Sequence, residues 1–534
     1  MDKFKTKKIS FILEIIFFIA LGFFVGSSAT VSPFYGDINV IDEGQFAAWA
    51  NFMLHGKLMF KDMYIVYGPL YIYPLYLLFK FFSPSMFLVR SYLVASSLIG
   101  IIPINLIMKE LKIKFFSRTI MNLLIVFLPI MLLRQAVAWI ALYFLVISIN
   151  RDKRIYVFLA GLFTSITLLT SPELGIIVGV IFIAYCLLES IFTLNLKKMF
   201  FSLVYFALGF ILPSVIFVAF SVKEGWFNAY VINTTRVLFD YSGVNVPNGK
   251  NLPNIFILIP FGKSIFSWIK FVFSKEIFIY YVFILHLLFI LYLTIKFVLR
   301  KFNDTDKKLL LIVLFGIFLQ YLLIGRPDHY FFSLSPILLL SVFYFNKSLI
   351  YLKAKNLPTK AKNQTFFAIV LLVLSIFSLR YLYVNHPQIE NIIHIPSAVI
   401  NTPNNPQFIG RIVISKKQQK LFGDLQSFVD DNSSPKDNIF VFSDEPALYL
   451  ILNRDNATKY VVPFGSNLKS MRIDMLNELK NNDPKFILID KNAWNVDDIS
   501  NVKRLPEIVI YIKQNYALFK TVDGVMFYRN EKYE

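Results

Sequence analysis

From Ile9 to Tyr383 the chain returns again and again to long apolar stretches. No single aqueous core could absorb them, whereas a helix crossing the hydrocarbon of a bilayer needs roughly 17–25 such residues. Spans are expected near residues 9–29, 85–108, 117–133, 135–149, 155–170, 174–191, 199–220, 276–299, 309–324, 331–346 and 366–384, about eleven in all by the length a bilayer requires. Lipid also explains the composition. Of 534 residues, 56% are hydrophobic, 58 are Phe and only 16% are charged, where soluble domains carry roughly 25% charged residues.

The net charge of +20 is not spread as a nucleic-acid surface would be, and no nucleic-acid partner is expected. Lys and Arg cluster at the N-terminus and at Lys109–Arg118, Arg151–Arg154, Lys197–Lys198, Lys296–Lys308 and Lys347–Lys362. With the spans above, all of these fall on one face, the cytoplasmic one by the positive-inside rule. The opposite face receives residues 30–84, 171–173, 221–275, 325–330 and everything beyond about 385. Gly68–Phe82 is apolar enough to suggest a further span, but counting it would invert every later loop. It is expected instead as a juxtamembrane or re-entrant helix, with Tyr67, Tyr71, Tyr73 and Tyr76 suited to the interface. The N-terminal stretch behind Lys3, Lys5, Lys7 and Lys8 is long for a signal peptide and reads as an uncleaved first helix. The single cysteine, Cys186, excludes an intramolecular disulfide.

Past residue 384 the pattern changes. An Asn- and Pro-rich linker is expected over 385–415, then a small α/β domain over 416–534. Its marks are a helix around Phe422–Phe428, a strand at Asn438–Phe442, a helix at Ala447–Leu452, a strand at Phe486–Asp490, a helix over Leu505–Tyr516 and two short strands ending near Phe527. The sheet should be partly parallel. The expected fold is thus mainly α: a polytopic membrane helical bundle over 1–384, including a first outer loop at 30–84, with an extracytoplasmic α/β domain behind it. No Gly-rich phosphate loop occurs in the tail.

Acidic residues near the membrane gather on the outer face, so a site is expected there. Asp42-Glu43-Gly44-Gln45 opens a helical pattern through Phe46, Trp49 and Met53. Asp42 could cap that helix in a capping box with Gln45, or serve as a general base with a pKa raised by partial desolvation. Both readings stand at this level. His55 suits the interface better than catalysis. Arg134, Glu173, Arg326, Asp328 and His329 lie at outer ends of spans, where a charge needs a partner or a cavity. Arg326-Pro327-Asp328-His329 is either a solvated turn or a phosphate-binding cluster. Glu173, after Pro172, could simply begin a helix. Lys223, Arg236 and Asp240 belong to the second large outer loop. Glu14, inside the first span, should face other helices.

The order of features in the first outer loop resembles a known family. Asp42-Glu43-Gly44 is followed by a helix ending His55-Gly56-Lys57, then Lys61-Asp62, Gly68-Pro69-Leu70, a Tyr-rich helix, and Arg90 opening the second span. This is similar to the GT-C superfamily of polytopic glycosyltransferases, in particular the protein O-mannosyltransferase group and its bacterial relatives, the aminoarabinose transferases of lipid A among them. The likeness covers about residues 9–350. It implies a bundle with an outward site, a polyprenyl-phosphate sugar donor, and inversion at the anomeric carbon. The family's acidic pair falls on Asp42 and Glu43, with Asp42 as the base. The resemblance extends to Arg326–His329 and, in the tail, to Asn438–Phe442, Glu445-Pro446, Tyr449, Asn453-Arg454 and Thr458. Two positions depart from the aminoarabinose-type pattern: Tyr67-Gly68 stands where a basic residue is usual, and Arg134-Gln135 where an Asp is common.

The reading is therefore a membrane glycosyltransferase that moves a hexose or related sugar from a polyprenyl-phosphate carrier to a hydroxyl of an extracytoplasmic glycan, lipid or protein. Asp42 and Glu43 are its catalytic candidates. Asp62, Tyr67, Arg134, Glu173, Arg236, Arg326, Asp328 and His329 are its candidates for contacting substrate. No tightly bound cofactor is expected; a divalent metal is not indicated, because no His/Asp spacing demands one. The alternative is a polytopic transporter or flippase of lipid-linked glycans, although no internal repeat of the transporter kind is found.

Overall fold

The computed structural model describes residues 2–26, 32–127, 133–149, 151, 153–193, 195–241, 264, 267, 278–322, 334–352, 405–406, 408–466, 468–495, 499–530 and 532. The expected span 366–384 and the turn Arg326–His329 lie outside them, as does most of the linker. The chain falls into two compact units, neither continuous in sequence. Unit 1 comprises residues 1–30, 93–217 and 248–390; unit 2 comprises 31–92, 218–247 and 391–534.

Ten expected spans are matched by helices. These are α1 (Asp2–Val25), α4 (Met86–Leu98) continued by α5 (Ile101–Glu110), α6 (Phe115–Phe127), α7 (Leu133–Ser148), α8 (Arg154–Thr170), α9 (Pro172–Thr193), α10 (Leu196–Lys223), α12 (Phe278–Val298), α13 (Asp304–Leu322) and α14 (Leu334–Leu352). Among the described residues, three helices are long and apolar enough to cross a membrane by length and composition: Met86–Glu110, Pro172–Ile191 and Leu196–Lys223. The last has a mean hydropathy of 2.4, yet only 6% of its most apolar stretch is buried. A bare apolar helix of that length is stable only in lipid, so the chain is an integral membrane protein.

Helices in lipid gain little from the hydrophobic effect between them, so small residues that let backbones approach carry much of the packing. Unit 1 follows this rule where α8 meets α10. A Cβ on Gly161 would stand 2.0 Å from the Phe206 carbonyl oxygen, and one on Gly209 would stand 1.9 Å from that of Phe158. The Ser165 and Ser214 hydroxyls bond across the same seam at 2.9 Å. Glu14 faces other helices as expected: Arg118 donates to it at 3.0 Å and Asn122 at 3.4 Å. Ion pairs gather the basic loops that were expected to share a face. Glu110 at the end of α5 meets Arg151 and Lys308, and Glu189 in α9 meets Lys198 and Lys307.

Unit 2 joins the first outer loop to the tail. The loop contributes α2 (Asp42–Leu54) and α3 (Pro69–Phe81). At about 1.5 Å per residue, the 13 residues of α3 extend about 20 Å. Residues 218–247 add α11 (Phe227–Thr235) and a π-helical turn, Arg236–Tyr241. The tail supplies α15 (Lys416–Asn432), β1 (Ile439–Val441), α16 (Ala447–Ile451), α17 (Lys469–Asn482), β2 (Phe486–Asp490), α18 (Asn501–Arg504), α19 (Pro506–Asn515), β3 (Tyr516–Val522) and β4 (Val525–Asn530). The sheet order is β1-β2-β4-β3, with β1 parallel to β2 and the other pairs antiparallel. Asp523 and Gly524, at φ 46° and 97°, make the β3–β4 turn, a pairing suited to positive φ at both positions. Helix α17 had no counterpart in the sequence reading.

Two expectations need correction. Residues 405–415 do not behave as a free linker: Phe408 and Ile409 carbonyls accept from Met86 and Phe87, and Val413 pairs with Tyr35. Ile409 and Ile412 are wholly buried, which is why an Asn- and Pro-rich stretch is nevertheless held. The tail is also not a body apart from residues 1–384, since the compact unit containing it takes in residues 31–92 and 218–247.

The α8–α10 seam yields a direct test. Gly209→Ala forces a methyl against the Phe158 carbonyl and should cost about 1–3 kcal/mol, the usual price of overpacking. Gly179→Ala, in α9 with nothing within 4 Å of the added Cβ, should be neutral or stabilising by up to about 1 kcal/mol. Thermal unfolding of the two purified variants checks the contrast.

Candidate functional site

Helix α2 is apolar on every side and correspondingly enclosed: Phe46, Ala47, Ala48, Trp49, Ala50 and Phe52 are all buried. A helix that is hydrophobic all round belongs inside a protein. Its far side reaches the tail. A Cβ on Gly44 would stand 2.3 Å from the Ala447 nitrogen at the start of α16, so only glycine permits that approach. The Ala447 N–H in turn donates to the Val40 carbonyl at 3.0 Å.

The N-terminus of α2 does not form the capping box that was one of the two readings of Asp42. Asp42 is the first helical residue, and Ile41 stands at the cap with no side-chain bond. Asn39 does the work instead. Its Oδ1 accepts from the backbone of Ile41 at 3.1 Å and of Asp42 at 2.9 Å, while its Nδ2 donates to Asp42 Oδ2 at 3.0 Å. This is an Asx turn, and it leaves the Asp42 carboxylate exposed but held.

Glu43 faces the other way. It is buried, and Arg90 of α4 meets it from two nitrogens, Nε to Oε2 at 2.7 Å and Nη2 to Oε1 at 3.3 Å. The remaining Arg90 donors reach the carbonyls of Ser32, Gly36 and Asp37. Burial pushes the Glu43 carboxyl up from its ordinary value, and the Arg90 guanidinium opposes that shift. The acidic pair of the sequence is thus split in role by a single residue step along the helix: one carboxylate outward, one committed to an interior ion pair.

Asp37 continues the anchoring. Its oxygens accept from Ser415 N at 2.7 Å and Ser415 Oγ at 3.0 Å, just ahead of α15. Gln418 exchanges bonds with the Ile38 backbone. At the other end of α2, His55 Nδ1 lies 2.6 Å from Asp455, which raises the His55 pKa through that hydrogen bond. His55 therefore fastens α2 to the tail, a role the sequence did not suggest.

The loop between β1 and α16 carries two carboxyls that sequence reading did not single out as a site. Asp444, at φ 58°, accepts from Phe464 N and from Asn501. Glu445 accepts from Ser443 at 2.8 Å. Burial pushes both up to about 7, and Asp490 at the end of β2 adds to the effect on Glu445. They sit at the carboxyl ends of parallel strands, where open α/β sheets commonly place their sites, and Glu445 is two residues from the Ala447 that touches Gly44. The available signal was Glu445-Pro446 directly behind a buried strand.

The other candidates are dispersed. Asp62 accepts from the Leu58 N–H at 2.8 Å and shapes its own turn. Tyr67 is half-buried against Phe46, Trp49 and Tyr71. Arg134 and Glu173 in unit 1 pair with each other at 3.2 Å. Arg236 lies in unit 2 beside a cavity of about 480 Å³ that Lys61, Tyr64, Asn233, Lys459 and Asp474 also line. Arg326, Asp328 and His329 lie outside the described residues. Among the described residues no group of three or more His, Cys, Asp or Glu could hold a metal ion.

No known family profile matches the chain, and no curated protein does. Solved structures similar to it include two of one protein. One is ArnT from Cupriavidus metallidurans bound to undecaprenyl phosphate, at 12% identity and a TM-score of 0.49, covering 97% of this chain and 98% of that one. The other is the same protein in the apo state, at 12% identity and a TM-score of 0.46, covering 98% of each chain.

The raised carboxyls set a pH dependence. In the unfolded chain Asp and Glu release their protons near about pH 4; folded, Asp444 and Glu445 hold theirs to about 7. Between those limits the folded state binds more protons, so stability falls as pH rises and levels off above about 7. His55, its pKa also raised, contributes stability that is likewise lost on going to higher pH. Glu445→Gln should flatten the slope of melting temperature between about pH 5 and 8, with the variant more stable than the parent at the upper end. An unchanged slope would remove Glu445 as its source.

Proposed function

We propose that this chain is an inverting glycosyltransferase that takes a sugar from a polyprenyl-phosphate carrier and transfers it to a hydroxyl of an extracytoplasmic acceptor. The observation that carries the reading is the division of labour at the start of α2. Asp42 is exposed, oriented by Asn39, and its neighbour Glu43 is locked away on Arg90. A general base must be both reachable and pre-positioned, and Asp42 meets both conditions. The integral membrane character supplies the rest of the argument, because a polyprenyl carrier stays in the bilayer and its sugar must be handled at the membrane surface.

In this mechanism the acceptor hydroxyl oxygen attacks the anomeric carbon from the face opposite the phosphate. The bond from that carbon to the phosphate oxygen breaks, and its electron pair leaves with the phosphate. The hydroxyl proton passes to the Asp42 carboxylate. Glu43 serves as the anchor that holds Asp42 in place. A guanidinium would stabilise the growing charge on the departing phosphate. Arg236 and Lys61 would hold the acceptor at the cavity they line. The first outer loop and the tail are proposed to lie on the extracytoplasmic side, with the N-terminus in the cytoplasm.

Two measurements test this reading. Asp42→Asn should lower transfer from a synthetic prenyl-phosphate sugar by about 10²–10⁴-fold, the range for loss of a general base. Its thermal stability should move by less than about 0.5 kcal/mol, as for an exposed position. Transfer that survives the substitution removes the base, and lipid-linked glycan transport without transfer points to a flippase. For orientation, Gln45→Cys in a Cys186→Ser background should react with a membrane-impermeant maleimide added outside intact cells; labelling only after lysis places α2 on the wrong side.

A further inference from the structure

A second cavity, unconnected with the transfer reaction, lies within unit 1 where the basic loops gather. It measures about 440 Å³ and lies between the end of α7, the starts of α8 and α10, and the latter half of α9. Its rim carries Arg151, Lys153, Arg154, Lys197 and Lys198, and among the described residues its one lining carboxylate is Glu189.

Among the described residues the charges do not cancel. Arg151 is matched by Glu110 at 2.7 Å. Glu189 is shared between Lys198 at 3.6 Å and Lys307 at 2.8 Å. Among the described residues Lys153, Arg154 and Lys197 have no carboxylate partner. Arg154 is nonetheless fixed, its guanidinium lying 5.0 Å and 5.3 Å from the Phe201 and Tyr205 rings and donating to Tyr205 Oη at 3.1 Å. The amino ends of α8 and α10 border the same space, and the positive end of each helix dipole favours an anion there. Deeper in, Val157, Phe182, Cys186 and Met199 make the lining apolar.

We propose that this cavity binds the phosphate headgroup of an anionic phospholipid. The choice of a lipid over a soluble anion rests on α10. From the cavity onward this helix presents Phe200, Leu208, Ile211 and Val215 outward, each more than half exposed, so acyl chains have an apolar track leading away from the cations. A basic pocket between membrane helices at their cytoplasmic ends is the setting in which acidic headgroups are held, and the expected topology puts this end of unit 1 in the cytoplasm. Arg154 is the pre-ordered ligand; Lys153 and Lys197, both exposed, close on the phosphate from either side.

The test uses the full chain in a non-ionic detergent, with native mass spectrometry and thermal unfolding as readouts. Phosphatidylglycerol should bind and raise the melting temperature, while phosphatidylcholine and inorganic phosphate should do neither. Lys153→Gln and Lys197→Gln should each weaken phosphatidylglycerol binding roughly fivefold, the contribution of one lysine near an anionic headgroup. Both are exposed, so folding should be retained. Lys114→Gln with Lys301→Gln, exposed on other basic loops and outside the cavity, should leave binding unchanged. Equal binding by phosphatidylcholine overturns the proposal, as does an equal loss in the Lys114/Lys301 variant, which would mean general surface charge. Full competition by inorganic phosphate overturns the lipid assignment in favour of a soluble anion.

Discussion

Arg90 spends its five donors on Glu43 and on three backbone carbonyls of the first outer loop, and the candidate site depends on that expenditure. A guanidinium and a carboxylate taken out of water are costly unless geometry and extra hydrogen bonds compensate. Here the fork of the arginine is filled on both sides. Removing either partner would leave a buried charge alone, so residues 32–37 and the first turn of α2 hold one arrangement. Because Glu43 is fixed inward, the helical rotation of about 100° per residue turns Asp42 outward.

The same loop is held from the tail. Gly44 against Ala447, Asp37 with Ser415, Gln418 with Ile38, and His55 with Asp455 all join residues of the first loop to residues hundreds of positions later. A helix of 13 residues such as α2 is marginal by itself in water, and most helical stability comes from packing. The tail provides that packing. Its own carboxyls, Asp444 and Glu445, are carried in the strand-end loop that leads into the α2 contact, and burial keeps them near neutral pKa.

Much of this architecture was legible along the chain. Ten of the apolar stretches became helices at nearly the expected boundaries, and the strands at Ile439–Val441 and Phe486–Asp490 lie where short apolar runs between turn residues announced them. Alternation of basic loops foretold which would come together, and ion pairs from Glu110 and Glu189 now join them. The misses share one cause. Asp42 has the residue type and spacing of a cap, but Asn39 reached the backbone N–H groups first. Residues 405–415 have a linker's composition, but two isoleucines found a buried place. Helix α17 keeps Met471, Met475 and Leu479 inside, too sparse a stripe amid polar residues to stand out.

What the sequence determined by itself was the solvent and the register: apolar length calls for lipid, charge placement orders the loops, and period 2 or 3.6 selects strand or helix. These are properties of neighbouring residues and need no folded chain to exist. The tertiary structure decided which carboxylate faces out, which arginine holds it, and where protons are retained near neutral pH. Glu43 and Arg90 are 47 residues apart, and His55 and Asp455 are 400 apart. An ion pair or a burial-shifted pKa depends on distance and dielectric in space, and those quantities come into being only when the chain has closed upon itself.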